Sequence, residues 1–147
     1  MVNAVSTHVF EEIDTEHREL DGLYAQIRVS LNDGLAPPRV IRKWLIELAA
    51  KLSGHFASEE EGGYFDEIVE LAPRLSSATE ALQREHGELL NRLELLQERL
   101  STVSSGSYQL ESIAQEIEAF LCQCDLHESR ESALVQDAYL SDIGLGD

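Results

Sequence analysis

Apolar residues recur along the chain in four separate runs, each stepping alternately by three and four. The first carries Phe10, Ile13, Leu20, Tyr24, Ile27 and Leu31, and the second Ile41, Leu45, Leu48 and Leu52. The third carries Leu82, Leu89, Leu93, Leu96 and Leu100, and the fourth Leu110, Ile113, Ile117, Phe120 and Leu134. Residues three and four apart share a helix face, so each run is the inward stripe of an amphipathic helix. Turn-forming residues separate the runs. The loop NDGLAP follows a first helix expected from about Thr7 to Leu31. Pro38 suits the first turn of the second helix. Gly62-Gly63 loosen that helix, and Pro73 marks its far limit. Ser77 and Glu80 fit a capping box for the third helix. STVSSGS forms the next loop, and the fourth helix ends near Leu140. The pattern predicts an all-α fold, an up-down-up-down antiparallel four-helix bundle. The bundle covers about residues 7–140 of a single domain spanning 1–147, with a loose tail, SDIGLGD, at 141–147.

Each stripe has gaps, and polar residues fill them. The steps 10, 13, 17, 20, 24 put His17 on the first seam, and 45, 48, 52, 55, 59 put His55 and Glu59 on the second. The steps 82, 86, 89 add His86, and 117, 120, 124, 127, 131, 134 enclose Cys124, His127 and Glu131. The heights also agree. His17 and His55 lie about 17 and 20 residues from the first loop, Glu59 and His86 about 14 and 13 from the second, and His86 and His127 about 19 and 22 from the third. A mismatch of about three residues is roughly one helical turn. His17, His55, Glu59, His86, His127 and Glu131 should therefore meet in one layer of the core.

Composition narrows the partners. The chain has 147 residues, of which 43% are hydrophobic and 6% aromatic, a mix that favours helices over a β-sandwich. Its 28 acidic and 11 basic residues leave a formal charge of −17, which repels nucleic-acid phosphates and anionic membranes. The start, MVNAVSTHVFEEID, lacks the basic flank and apolar run of a signal peptide. No stretch approaches the roughly 20 apolar residues of a membrane span. Cys122 and Cys124 are too close on one helix to bridge readily, and a reducing cytoplasm is the expected location.

Four histidines and two glutamates in one buried layer, without lysine or arginine, need another source of positive charge. A buried unpaired carboxylate costs several kcal/mol, and an imidazole with an unmet hydrogen bond roughly 1–3 kcal/mol. A pair of divalent cations satisfies both, with imidazoles as terminal donors and carboxylates able to bridge; two iron ions suit this set, with room for an exogenous ligand. Zinc or manganese suits the same donors. His8 falls off the seam and reads as a surface histidine, and Glu60 and Glu61 as solvated acids. Asp21 either fixes the His17 tautomer from behind or is a helix-surface acid. Tyr24 reads as core, its hydroxyl needing a partner. Cys124 reads as core filler, with a thiolate or redox role near the metal as the alternative.

The fragments EHREL around His17, HFASEEE around His55 and Glu59, EHGELL around His86 and HESRES around His127 and Glu131 occur in this order at bundle spacing. Together they resemble the hemerythrin-like family of HHE cation-binding domains, from about Phe10 to Leu140. The resemblance implies a four-helix bundle around a non-haem, carboxylate-bridged di-iron site. His17 and His55 would hold one iron, His86 and His127 the other, with Glu59 and Glu131 bridging. Two departures stand out. Leu90 occupies the position where oxygen-carrying hemerythrins have a further histidine. Ser132 stands where their last carboxylate follows the fourth histidine, while Glu131 lies one residue earlier. The shorter spacing is similar to iron-sensing and iron–sulfur-repair relatives, and the poorer histidine shell leaves coordination positions open, which argues against simple reversible oxygen carriage.

The expected function is binding or sensing of oxygen, nitric oxide, peroxide or iron at an open di-iron site. A peroxidase- or oxidase-type enzyme and an iron-storage or repair role are the alternatives. The E-x-x-H motifs of ferritin-like oxidases are absent, since Leu52, Gln83 and Cys124 precede His55, His86 and His127 by three. A metal-free interaction bundle is the remaining alternative. The sequence names no protein partner.

Overall fold

The computed structural model describes residues 4–34 and 36–142, and among them it is all-helical. Four long helices make the body: α1 (Ala4–Asn32), α2 (Pro38–Glu61), α4 (Ser76–Leu100) and α5 (Tyr108–Asp142). Between α2 and α4 lie a short helix, α3 (Tyr64–Leu71), and a 3-10 turn, Pro73–Leu75. α1 packs on α2, α2 on α4, α4 on α5, and α5 back on α1, so the long helices close into a bundle. No helix among the described residues is long and apolar enough to cross a membrane.

The elements begin and end for local reasons. Pro37 holds extended backbone and Pro38 starts α2 at a position where the missing amide hydrogen is no loss. α2 closes at Gly62, whose N–H donates to the Ser58 carbonyl; a Cβ at Gly62 would clash with that oxygen. Gly63 then takes φ 96°, a left-handed conformation that side-chain-bearing residues rarely adopt. The two glycines do more than loosen α2, because they end it and redirect the chain into α3. The expected capping box is not formed. Leu75 precedes α4 without a side-chain cap, and the Thr79 hydroxyl donates to the Ser76 carbonyl. The 3-10 turn feeds directly into α4, which leaves Ser77 exposed within the first turn. The helix expected to end near Leu140 runs to Asp142, so the first two residues of the tail are helical; residues 143–147 lie outside the described residues.

The polar layer divides the core in two. On one side, Leu20, Tyr24, Ile27, Leu45, Leu48, Leu52, Leu89, Leu93 and Ile117 belong to a long apolar core that follows the sequence stripes. On the other, α3 supplies Tyr64, Phe65 and Ile68 to a smaller core with Ile13, Leu75, Leu82 and Ala138. α3 touches all four long helices and plugs that end. His17 lies between Ile13 and Leu20, and His86 between Leu82 and Leu89, on the border of the two cores.

Candidate metal centre

The six seam residues converge. His17 comes from α1, His55 and Glu59 from α2, His86 from α4, and His127 and Glu131 from α5. All are buried: Glu59 and Glu131 at 0% exposure, and His17 the most accessible at 8%. Their donor atoms form two overlapping groups. His17, His55, Glu59 and Glu131 each place an atom within 4.8 Å of the others, and so do His86, His127, Glu59 and Glu131. Both carboxylates therefore belong to both groups.

The contacts do not have hydrogen-bond geometry. His17 Nε2 lies 3.3 Å from Glu131 Oε1, His55 Nε2 3.4 Å from Glu59 Oε1, His86 Nε2 3.2 Å from the same Glu59 oxygen, and His127 Nε2 3.6 Å from Glu131 Oε1. Yet the Nε2 atoms of all four histidines, and both oxygens of Glu59 and Glu131, are buried without a hydrogen-bond partner. Two donors each about 2.1 Å from a shared cation, at the angles of ordinary coordination, stand about 3.0–3.4 Å apart. The layer thus has the spacing of donors around a cation.

Behind three of the rings stands a carboxylate. Glu16 Oε1 is 2.7 Å from His55 Nδ1, Glu60 Oε2 is 3.3 Å from His86 Nδ1, and Glu85 Oε1 is 3.4 Å from His127 Nδ1. A carboxylate can only accept, so at His55 and His86 the proton sits on Nδ1 and the Nε2 lone pair faces the centre. Burial lowers the pKa of both these rings, against the pull of Glu16 and Glu60, and favours the neutral, metal-binding form. The carboxylates split. Burial, then the close approach and charge of Glu131, push Glu59 well above the usual range. Glu131 is also raised by burial, but Glu59, His17 and His127 outweigh this and hold it low. Two buried carboxylates this close keep one proton between them when no cation is bound.

None of the three backing glutamates lies on an apolar seam. Glu16 and Glu85 directly precede ligand-type histidines in EHREL and EHGELL, and Glu60 follows Glu59. That adjacency was the available signal: the neighbour of a seam residue sits at the helix flank and reaches the next helix. Glu60 is exposed as a solvated acid would be, but it also engages His86. The aromatic cover escaped the seam pattern as well. Phe56 stacks on His86 with ring centroids 3.9 Å apart and planes 6° from parallel.

The three outlying candidates form a separate group. Asp21 is exposed and shares a hydrogen bond with Glu128; among the described residues it makes none with His17. Tyr24 is buried and donates to Glu128 Oε1 at 3.4 Å. Cys124 joins the long apolar core beside Tyr24, and burial pushes its thiol up to about 12. Both cysteines are free, Cys122 exposed and Cys124 buried. His8 is exposed.

Comparison with known proteins adds one match. The family described as "Hemerythrin HHE cation binding domain" matches residues 8–138. No curated protein and no solved structure gives a significant match to the chain.

Proposed function

The chain belongs to the hemerythrin HHE cation-binding domain family, and from that premise we propose that it is a non-haem di-iron protein that binds or senses oxygen, nitric oxide, peroxide or iron. The observation that carries this reading is the set of orphaned atoms: four imidazole Nε2 nitrogens and four carboxylate oxygens, buried together without partners. Leaving each such group unsatisfied costs roughly 1–3 kcal/mol, and more for charged groups. Cations satisfy them all at once.

His17 and His55 would hold one iron, His86 and His127 the other, with Glu59 and Glu131 shared between them. When bound, the iron pair supplies redox chemistry and a coordination position for a small ligand. The protein's own part is to hold neutral imidazoles by their Nδ1 protons, to keep both carboxylates inward, and to exclude water on the His86 side with Phe56 and Phe65. The long helices fit an up-down-up-down antiparallel arrangement. In the pairs His17–Glu131, Tyr24–Glu128 and Arg28–Glu118, the α5 numbers fall as the α1 numbers rise. Two unpaired cysteines suit a reducing cytoplasm.

Metal analysis together with the optical spectrum of protein from iron-supplied cells tests the reading. About two irons per chain with near-ultraviolet charge-transfer bands are expected of such a carboxylate-bridged bundle site. Stoichiometric zinc would keep the cage and remove its redox chemistry. A chain that takes up no metal, even after anaerobic ferrous reconstitution, would refute it.

A further inference from the structure

The His/Glu layer is closed on most sides and open on one. A cleft of ≈ 390 Å³ reaches it where α1, α3 and α5 meet, lined by Phe10, Ile13, His17, Tyr64, Val135 and Tyr139. A second, more polar cleft of ≈ 480 Å³ shares Asp14, His17, Ser132 and Gln136 with the first. His17 is the ligand-type residue that borders both.

Tyr64 is the unusual member of the lining. It is 2% exposed, yet its hydroxyl makes no hydrogen bond with any described residue. Burial first, then Glu131, Glu59 and Asp14, raise its pKa far above the ordinary phenol value. The group therefore remains a protonated donor, on the wall of the cleft that His17 also lines. A phenol hydroxyl without a protein partner in a cleft lining is free to donate to a ligand or water that enters.

The approach is acidic. Glu11 and Asp14 line the first cleft, and Asp14, Asp21 and Asp125 the second, where Asp125 pairs with Arg28 and Glu128 keeps its proton. Arg18 is the basic residue in either lining, and it stands 4.0 Å from Asp14. An anion is repelled here and a neutral molecule is not.

Resting on the di-iron reading above, we propose that this cleft admits small uncharged molecules to the centre, and that Tyr64 donates a hydrogen bond to an oxygen- or nitrogen-bearing ligand held there. The acidic lining selects the class, and the phenol holds what arrives.

Stopped-flow binding to the iron-loaded protein tests this, with nitric oxide as the neutral probe and azide as the anion. Azide association should rise with ionic strength while that of nitric oxide stays level, because salt screens only the charged approach. Asp14→Asn should raise azide association at low salt. Tyr64→Phe should speed ligand dissociation roughly five- to tenfold, the loss of one hydrogen bond, with iron content unchanged. Ser132→Trp, at an exposed position common to both clefts, should remove most of the fast association of either probe. If Tyr64→Phe does not fold, Ser132→Trp and Asp14→Asn, both at exposed sites, still decide the matter. Iron-loaded variants with wild-type rate constants and no salt effect would overturn the proposal while leaving the di-iron reading intact. Failure to load iron, read by metal analysis before any ligand is added, would overturn both.

Discussion

His86 and His127 stand behind aromatic cover, whereas His17 stands beside two clefts. Phe56 lies flat on His86 and meets the His127 ring edge-on at 5.8 Å, and Phe65 tilts over His86 at 5.6 Å. Glu60 and Glu85 back these two rings. In the other half, His55 is held as firmly, since Glu16 accepts from it at 2.7 Å and also from the Ser58 hydroxyl at 3.1 Å. His17 has no carboxylate behind it among the described residues. The two halves use the same donor set, two imidazoles and both glutamates. In one half both rings lie under aromatic cover beside a carboxylate, and in the other the His17 ring has neither a backing carboxylate nor a closed outer side. An exchangeable position needs such an open side, and a well-ordered site needs the rest closed.

The largest effect should come from what the halves share. Glu59→Leu removes a carboxylate from both groups and should abolish metal binding at both positions. The same change should make the metal-free protein more stable, by about 1–4 kcal/mol, because it replaces a buried acid with a well-packed apolar side chain. Urea unfolding of chelator-treated protein, with metal analysis of the untreated sample, reads both. Retention of one metal per chain would show that Glu59 serves one half alone.

Next comes the contrast between halves. His17→Ala should lose the first metal position and keep the second, whose four donors it leaves intact. Added imidazole should restore the lost metal through the cleft that His17 borders. His86→Ala empties a place sealed by Phe56, so imidazole should not restore it. It should also destabilise the fold by about 2–4 kcal/mol through the cavity it leaves. Equal rescue of both variants would remove the distinction between an open and a closed half.

A smaller effect belongs to the backing carboxylates. Glu16→Gln should weaken metal binding about 10- to 100-fold, the usual cost of losing an outer partner of a ligating histidine. Glu60→Gln should cost less, because its contact with His86 is longer, at 3.3 Å, and the Glu60 side chain is 42% exposed. Competition with a chelator of known affinity gives both numbers. A reversed order would mean that Phe56 stacking, rather than hydrogen bonding, holds the rings in place.

The comparison also shows what could be read along the chain. Stripes such as Leu89-Leu93-Leu96-Leu100 repeat over several turns, so both the helices and the gaps at His17 and His86 stand out from local periodicity alone. α3 spans only eight residues, too few for a period to emerge, and Tyr64 and Phe65 owe their burial to helices far away in sequence. Ser77 and Glu80 had the right residues for a cap, but the buried Leu75 delivers the chain into α4 before Ser77 can act. Glu16 and Glu85 lie off the seams, and their role exists only once the next helix is in place. The donor set was thus written in single helices, while the open and closed character of its halves arises from packing between them.

The smallest effect concerns the acidic side of the open half. Glu128 lines the polar cleft beside His17, and burial, then its hydrogen bond with Asp21, raises its pKa from 4.5 to about 9. The folded chain therefore keeps a proton there that the unfolded chain gives up. Its contribution to stability is fully present below pH 4.5 and is lost as pH rises through about 9. The metal-free protein should need less urea to unfold as pH climbs across that window, and Glu128→Gln should flatten part of the decline. Glu59, raised in the same direction, supplies the remainder, so Glu59→Leu should flatten it further. Metal binding ionises Glu59 and removes its share but leaves that of Glu128. A pH slope that Glu128→Gln leaves unchanged would mean that Asp21 and Glu128 do not share a proton, and that the open half owes its charge to fully ionised acids.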